Sequence, residues 1–167
     1  MAATFMPLIS KIAKTIKADF SDIAFNTGDD FYWSSNTNTI IHKTIKKESD
    51  LWLLLHEIAH SKLSHDRYDS DIQLVKFEAL AWDYARKLIA PKYGLSPDYD
   101  FIEDKLDTYR LWLHKRSLCP KCLQTGLQKN ENTYSCLNCR CSWQVNEARL
   151  CGLRRKSLRN SFTSATN

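Results

Sequence analysis

Four cysteines constrain this chain more than any other feature. Cys119-Pro-Lys-Cys122 and Cys136-Leu-Asn-Cys139 are two Cys-x2-Cys pairs separated by residues 123–135. At that spacing two tight turns can present four thiolates tetrahedrally to one cation, with a small β-hairpin between them. Gly126, the strand-like Thr133-Tyr134-Ser135 and Trp143 suit such a hairpin. Four thiolates leave no open coordination position, so the zinc expected here is structural. It would supply the folding energy that so short a segment cannot draw from a core. Of the remaining cysteines, Cys141 is expected to be a bystander and Cys151 an ordinary free thiol.

Clustered cysteines read as metal ligands in a reducing compartment. The N-terminal MAATFMPLISKIAKTIK scatters lysines among its apolar residues and has no secretory h-region or cleavage site. No apolar run reaches the 18 or so residues of a membrane span. The sequence therefore predicts a cytoplasmic protein without a membrane partner. Its net charge of +5 is unevenly spread: residues 1–104 carry 12 Lys+Arg against 16 Asp+Glu, and residues 105–167 carry 12 against 3. Composition is 43% hydrophobic with four Gly and four Pro, which gives a real core and excludes a mainly disordered chain.

Hydrophobic periodicity predicts an amphipathic helix over 7–20, on Ile9, Ile12, Ala13, Ile16 and Phe20. Short strands are expected over 23–26, 31–33 and 39–43, separated by turn clusters. A helix over 50–64 would be capped by Ser49 or Asp50. The next, over 70–90, opens with a Ser70/Gln73 capping box, ends before Pro91 and is apolar nearly all round, which predicts a central buried helix. A further helix is predicted from Ser96, with Pro97 in its first turn.

Inside the helix over 50–64 lies His56-Glu57-Ile58-Ala59-His60. Histidines at i and i+4 project from one helical face, so both rings can reach one cation, with Glu57 beside its open position. A catalytic zinc needs a third protein ligand. Asp66 lacks the preceding Gly that would break the helix, because Leu63 stands there, and His65 falls on another helical face. Glu78 is an acid in an otherwise apolar helix and needs a partner, either the metal or a buried base. Ala81 and Ala85 would let its helix approach closely.

HEIAHSKLSH (56–65) followed by EALAWDYARKLIAP (78–91) resembles the ImmA/IrrE-type metallopeptidases. Glu78, Ala81, Tyr84, Ala85, Leu88, Ile89 and Pro91 match that family's second motif in register. The resemblance covers roughly residues 5–95. It implies a gluzincin-like zinc site of His56, His60 and Glu78, with Glu57 as catalytic base. Trp82 stands where the family has Asp or Asn, so a supporting contact to a ligating histidine is either missing or rebuilt from Asp83.

The expected fold class is α+β: a mainly helical zincin-like domain with a small antiparallel sheet (1–116), a zinc ribbon (117–150) and a basic, flexible tail (151–167). The expected function is a zinc-dependent endopeptidase acting on a cytosolic protein, with a DNA-bound regulator as one candidate. Two zinc ions are expected, one at His56, His60 and Glu78 and one at Cys119, Cys122, Cys136 and Cys139. The oxyanion donor is sought among Tyr68, His65 and Tyr84. The strand at 39–42 would take an extended peptide by edge addition, with His42 on its surface. Lys115, Arg116, Lys121, Lys129, Arg140, Arg149, Arg154, Arg155, Lys156 and Arg159 point to protein docking or to non-specific nucleic-acid contact. Competing readings are a SprT-like DNA-associated protease, which needs a third histidine such as His114, and a non-catalytic zinc-binding regulator.

Overall fold

A computed structural model describes residues 5–148 and 151–158. In chain order the elements are α1 (Phe5–Asp19), β1 (Ala24–Thr27), β2 (Tyr32–Ser34), β3 (Thr39–His42), α2 (Glu48–Lys62), α3 (Asp71–Tyr84), α4 (Tyr99–Ser117), β4 (Leu127–Asn130), β5 (Thr133–Ser135), β6 (Ser142–Val145) and β7 (Arg155–Ser157). The class is α+β, with two small sheets.

The chain forms two compact units, Met1–Arg67 with Lys76–Glu103, and Tyr68–Val75 with Asp104–Asn167. They do not divide at residue 116. The start of α3 and the end of α4 belong with the cysteine module, because Asp71, Arg116 and Tyr134 are buried together there.

In the first unit, α1 buries Ile9, Ala13 and Ile16, one stripe of an amphipathic helix. The sheet has the order β1-β3-β2, with β1 parallel and β2 antiparallel to β3. It is therefore mixed rather than purely antiparallel. Its central strand is β3, which corrects the expectation that 39–42 offers a free edge. His42 is correspondingly buried. Its Nε2 accepts from Lys17 Nζ at 2.6 Å, and its Nδ1 donates to the Lys43 carbonyl at 2.7 Å.

Helix α2 packs against β2, β3 and α1, burying Leu51, Trp52, Leu54, Leu55, Ile58 and Ala59. Its N-cap is Lys47. The Asp50 carboxylate accepts from the backbone N–H of Lys46 (2.8 Å) and Lys47 (3.1 Å), so Asp50 caps from inside the first turn. The capping box of α3 is shifted: Gln73 N–H donates to Ser70 Oγ at 3.4 Å, while Gln73 Oε1 accepts from the Asp69 N–H. This helix is not buried all round, since Ile72 and Leu80 are exposed. It passes into a π turn over Ala85–Ile89 and a 3-10 turn over Ala90–Tyr93, closed by Gly94 at φ 66°. Helix α4 starts three residues later than predicted, because Asp98 caps it through the Phe101 N–H at 3.0 Å.

The second unit is built on the antiparallel sheet β4-β5-β6-β7. Tyr134 and Trp143 are fully buried and stacked, centroids 5.6 Å apart. A Cβ on Gly126 would lie 2.3 Å from the Trp143 ring and 2.7 Å from the Ser135 carbonyl, so only glycine fits there. Strand β7 pairs with β6 and uses residues 155–157 of the expected tail, so that part is ordered sheet. Residues 159–167 lie outside the described ones. Arg116, expected on a basic surface, is 3% exposed. Its guanidinium donates to both Asp71 carboxylate oxygens, to the carbonyls of Asn146 and Glu131, and to Asn132 Oδ1. The Tyr134 hydroxyl donates to Asp71 as well.

Candidate functional site

Among the described residues two groups of side chains could hold a metal ion: His56, His60 and Glu78 in the first unit, and Cys119, Cys122, Cys136 and Cys139 in the second.

The first group joins α2 to α3. One helical turn separates His56 from His60, and their Nε2 atoms lie 3.0 Å apart. Glu78 Oε2 is 3.0 Å from His56 Nε2 and 3.6 Å from His60 Nε2. Close approach is permitted by Ala81 and Ala85, both fully buried on the following turns of the Glu78 helix. Burial opposes charge on Glu78, but hydrogen bonds from His56 and His60 prevail and hold its carboxyl far below the usual range. A carboxylate thus faces two imidazole nitrogens in a nearly dry site, an arrangement that a divalent cation satisfies directly.

The two histidines are supported differently. His56 stacks on Trp82, centroids 4.2 Å apart and 24° between planes. Its Nδ1 is buried without a hydrogen-bond partner among the described residues. Asp83 does not replace the missing acceptor, because it is ion-paired with Arg86 and Lys87. His60 has an acceptor within reach: its Nδ1 lies 3.1 Å from Nδ1 of His65. A continuous helix would put His65 on another face. The chain leaves the helix at Leu63, Ser64 adopts φ 53°, and the His65 N–H bonds back to the His60 carbonyl at 3.1 Å. That left-handed step returns the ring to the site, where it stacks on Phe77 at 4.1 Å with 1° between planes. Burial, then the nearby His60, lowers its pKa to about 4, so the ring is neutral at physiological pH. The sequence carries no signal for this turn, because serine, unlike glycine or asparagine, is not a residue that favours the left-handed conformation.

Glu57 sits between the two histidines in sequence, and its Oε2 accepts the Trp33 N–H of edge strand β2 at 2.9 Å. Strand β2 thereby orients the carboxylate. Asp66 and His114 are exposed and belong to neither group. Of the three oxyanion candidates, His65 is placed beside the group. Tyr84 is half-buried and Tyr68 lies in the second unit.

The four thiols form a paired arrangement. Cys119 and Cys139 Sγ are 3.5 Å apart, as are those of Cys122 and Cys136. Each turn repeats one hydrogen-bond pattern. The N–H of Leu123 bonds the Cys119 carbonyl and that of Arg140 the Cys136 carbonyl. Similarly, the N–H of Cys119 reaches Gln124 and that of Cys136 reaches Cys141. Leu123 (φ 59°) and Arg140 (φ 56°) occupy the same left-handed position in the two turns. The N–H groups of Lys121 and Cys139 point at sulfur, which favours thiolate. A backbone N–H at Gln124 brings the Cys122 thiol down to about 6. The Cys141 backbone favours the Cys139 thiolate, but burial and the three neighbouring thiols push it up to about 12. Mutual repulsion among anions at this distance is what a cation would relieve. Cys141 stands outside the group, 3.7 Å from the Ser142 carbonyl, and Cys151 is exposed.

Lys115, Lys121, Lys129, Arg140, Arg154 and Lys156 are exposed, while Arg155 is half-buried with its Nη1 on the Leu118 carbonyl. Arg149 and Arg159 lie outside the described residues. Among the described residues no helix is long and apolar enough to cross a membrane. Comparison with protein-family models, with curated proteins and with solved structures gave no match.

Proposed function

We propose that the chain is a zinc-dependent endopeptidase of ImmA/IrrE type, acting on a cytosolic protein, with a structural zinc in its ribbon. The observation that carries this reading is the triangle of His56 Nε2, His60 Nε2 and Glu78 Oε2, with sides of 3.0, 3.0 and 3.6 Å. Ligands about 2.0–2.1 Å from a tetrahedral zinc stand roughly 3.3 Å from one another, which these sides bracket. The thiol pairs at 3.5 Å suit Zn–S bonds of about 2.3 Å, which imply roughly 3.8 Å between sulfurs, and are far from the 2.05 Å or so of a disulfide.

His56, His60 and Glu78 would hold a zinc ion, which would supply Lewis acidity and lower the pKa of nearby water toward roughly 7. Glu57 then acts as general base, taking a proton from the attacking water and returning it to the leaving amine. The Trp33 N–H on one oxygen fixes the carboxylate's orientation and leaves the other oxygen for proton transfer. Strand β2 is the sheet edge beside Glu57, so an extended peptide is expected to add there and not at β3. A carboxylate as the third member of the triangle favours this reading over a SprT-like site. The exposed lysines and arginines of the second unit support docking of an acidic protein surface or of nucleic acid without sequence preference.

The test is hydrolysis of an unfolded protein mixture by the purified chain. Cleavage should stop on treatment with 1,10-phenanthroline and return when zinc is added back. Cleavage indifferent to chelation contradicts the proposal.

A further inference from the structure

His65 is the feature of the site that neither the zinc triangle nor Glu57 explains. Its ring is brought back to His60 by a left-handed Ser64, a backbone conformation that residues with a side chain rarely adopt. The ring is then clamped face to face on Phe77. A side chain fixed by both a strained backbone step and a stack presents one defined atom, and that atom is Nδ1, 3.1 Å from Nδ1 of His60.

Two nitrogens at that distance share one proton, and its owner follows from the other end of the His60 ring. His60 Nε2 points at Glu78 Oε2 and at His56 Nε2. For that nitrogen to offer a lone pair to a cation, the His60 proton must sit on Nδ1. His65 Nδ1 is then the acceptor, and His65 carries its own proton on Nε2. Among the described residues His56 has no counterpart to this support: no partner reaches its Nδ1, and its ring stacks on Trp82.

We infer that His65 is a positioning residue that fixes the tautomer and orientation of His60, so that the first metal site draws its affinity from a His–His relay on one ligand only. The inference rests on the zinc reading of that site. In other proteins such supporting partners are carboxylates or carbonyls, and their loss costs about 10–100-fold in metal affinity. Here an imidazole nitrogen stands in that place, 3.1 Å from His60 Nδ1.

The experiment is a chelator-competition measurement of zinc affinity on the full chain, with two substitutions. His65→Phe keeps the stack on Phe77 and removes the acceptor. His65→Asn removes the stack but places an amide oxygen where Nδ1 was. His65→Phe should weaken the first site by about 10–100-fold and leave the ribbon site unchanged, whereas His65→Asn should recover most of that loss. In the zinc-loaded wild type, two-bond 1H–15N correlations should show His60 protonated on Nδ1 and His65 on Nε2. Unaltered affinity in His65→Phe, or a proton on Nδ1 of His65, overturns the inference. Affinity is read without any substrate, so failure to find proteolysis leaves this result standing, while absence of zinc at the wild-type site overturns both readings.

Discussion

Arg116→Met should be among the most damaging single changes in the second unit. Arg116 and Asp71 are 3% and 2% exposed, and the guanidinium supplies donors to both carboxylate oxygens as well as to two loop carbonyls and the Asn132 side chain. Removing it leaves the buried Asp71 charge facing the Tyr134 hydroxyl. Uncompensated charges of this kind cost about 3–5 kcal/mol. The loop carbonyls lie nearer solvent and can turn to water, so they add little. Tyr134→Phe removes one hydrogen bond to a charged group and should cost about 1.5–3 kcal/mol. Asp71→Asn introduced together with Arg116→Met should cost less than the two separate losses combined, with a coupling between about 0.5 and 3 kcal/mol. The assay is urea unfolding of the metal-loaded chain, followed by tryptophan fluorescence, to which Trp143 contributes beside four others; its Nε1 bonds the Arg116 carbonyl. A loss under about 1 kcal/mol for Arg116→Met, or strict additivity in the double variant, refutes the reasoning.

Cys119→Ser should remove one metal equivalent per chain and retain the other; elemental analysis of the purified variant reads this directly. Gly126→Ala should destabilise the ribbon by about 1–3 kcal/mol, because the new methyl meets both the Trp143 ring and a backbone carbonyl; denaturant titration checks the sign and size. His42 has its pKa lowered from 6.5 chiefly by burial, so the unfolded state binds its proton more readily. Its contribution to stability is complete above pH 6.5 and falls away as pH drops from there through the folded pKa. His42→Gln should flatten that part of the stability–pH profile, and an NMR titration of the ring should give a midpoint below 6.5.

The elements were legible in the sequence wherever periodicity acted alone. Helix α1, the three short strands and the helix carrying His56 and His60 fall within a few residues of expectation. Helix starts shifted with their caps: Asp50, one of the two expected for α2, caps from inside the first turn, and Asp98 takes the place expected of Ser96 in α4. Three features required tertiary information. Strand order made β3 central and left β1 and β2 as the edges, which no local pattern encodes. Arg116 read as surface charge because its partner, Asp71, lies 45 residues away. His65 was missed because helical geometry was extended past Leu63, where the backbone had already turned left-handed at Ser64. The cysteine module was the most legible part, since the spacing of its two Cys-x2-Cys pairs is itself the structural constraint.

The central claim is that Glu57 performs proton transfer beside a zinc held by His56, His60 and Glu78. Its most direct test is a comparison of new protein N-termini between cells expressing the wild-type chain and cells expressing Glu57→Gln at matched zinc content. At least one target should be cut in the first and intact in the second. The same cleavage pattern in both would contradict the claim.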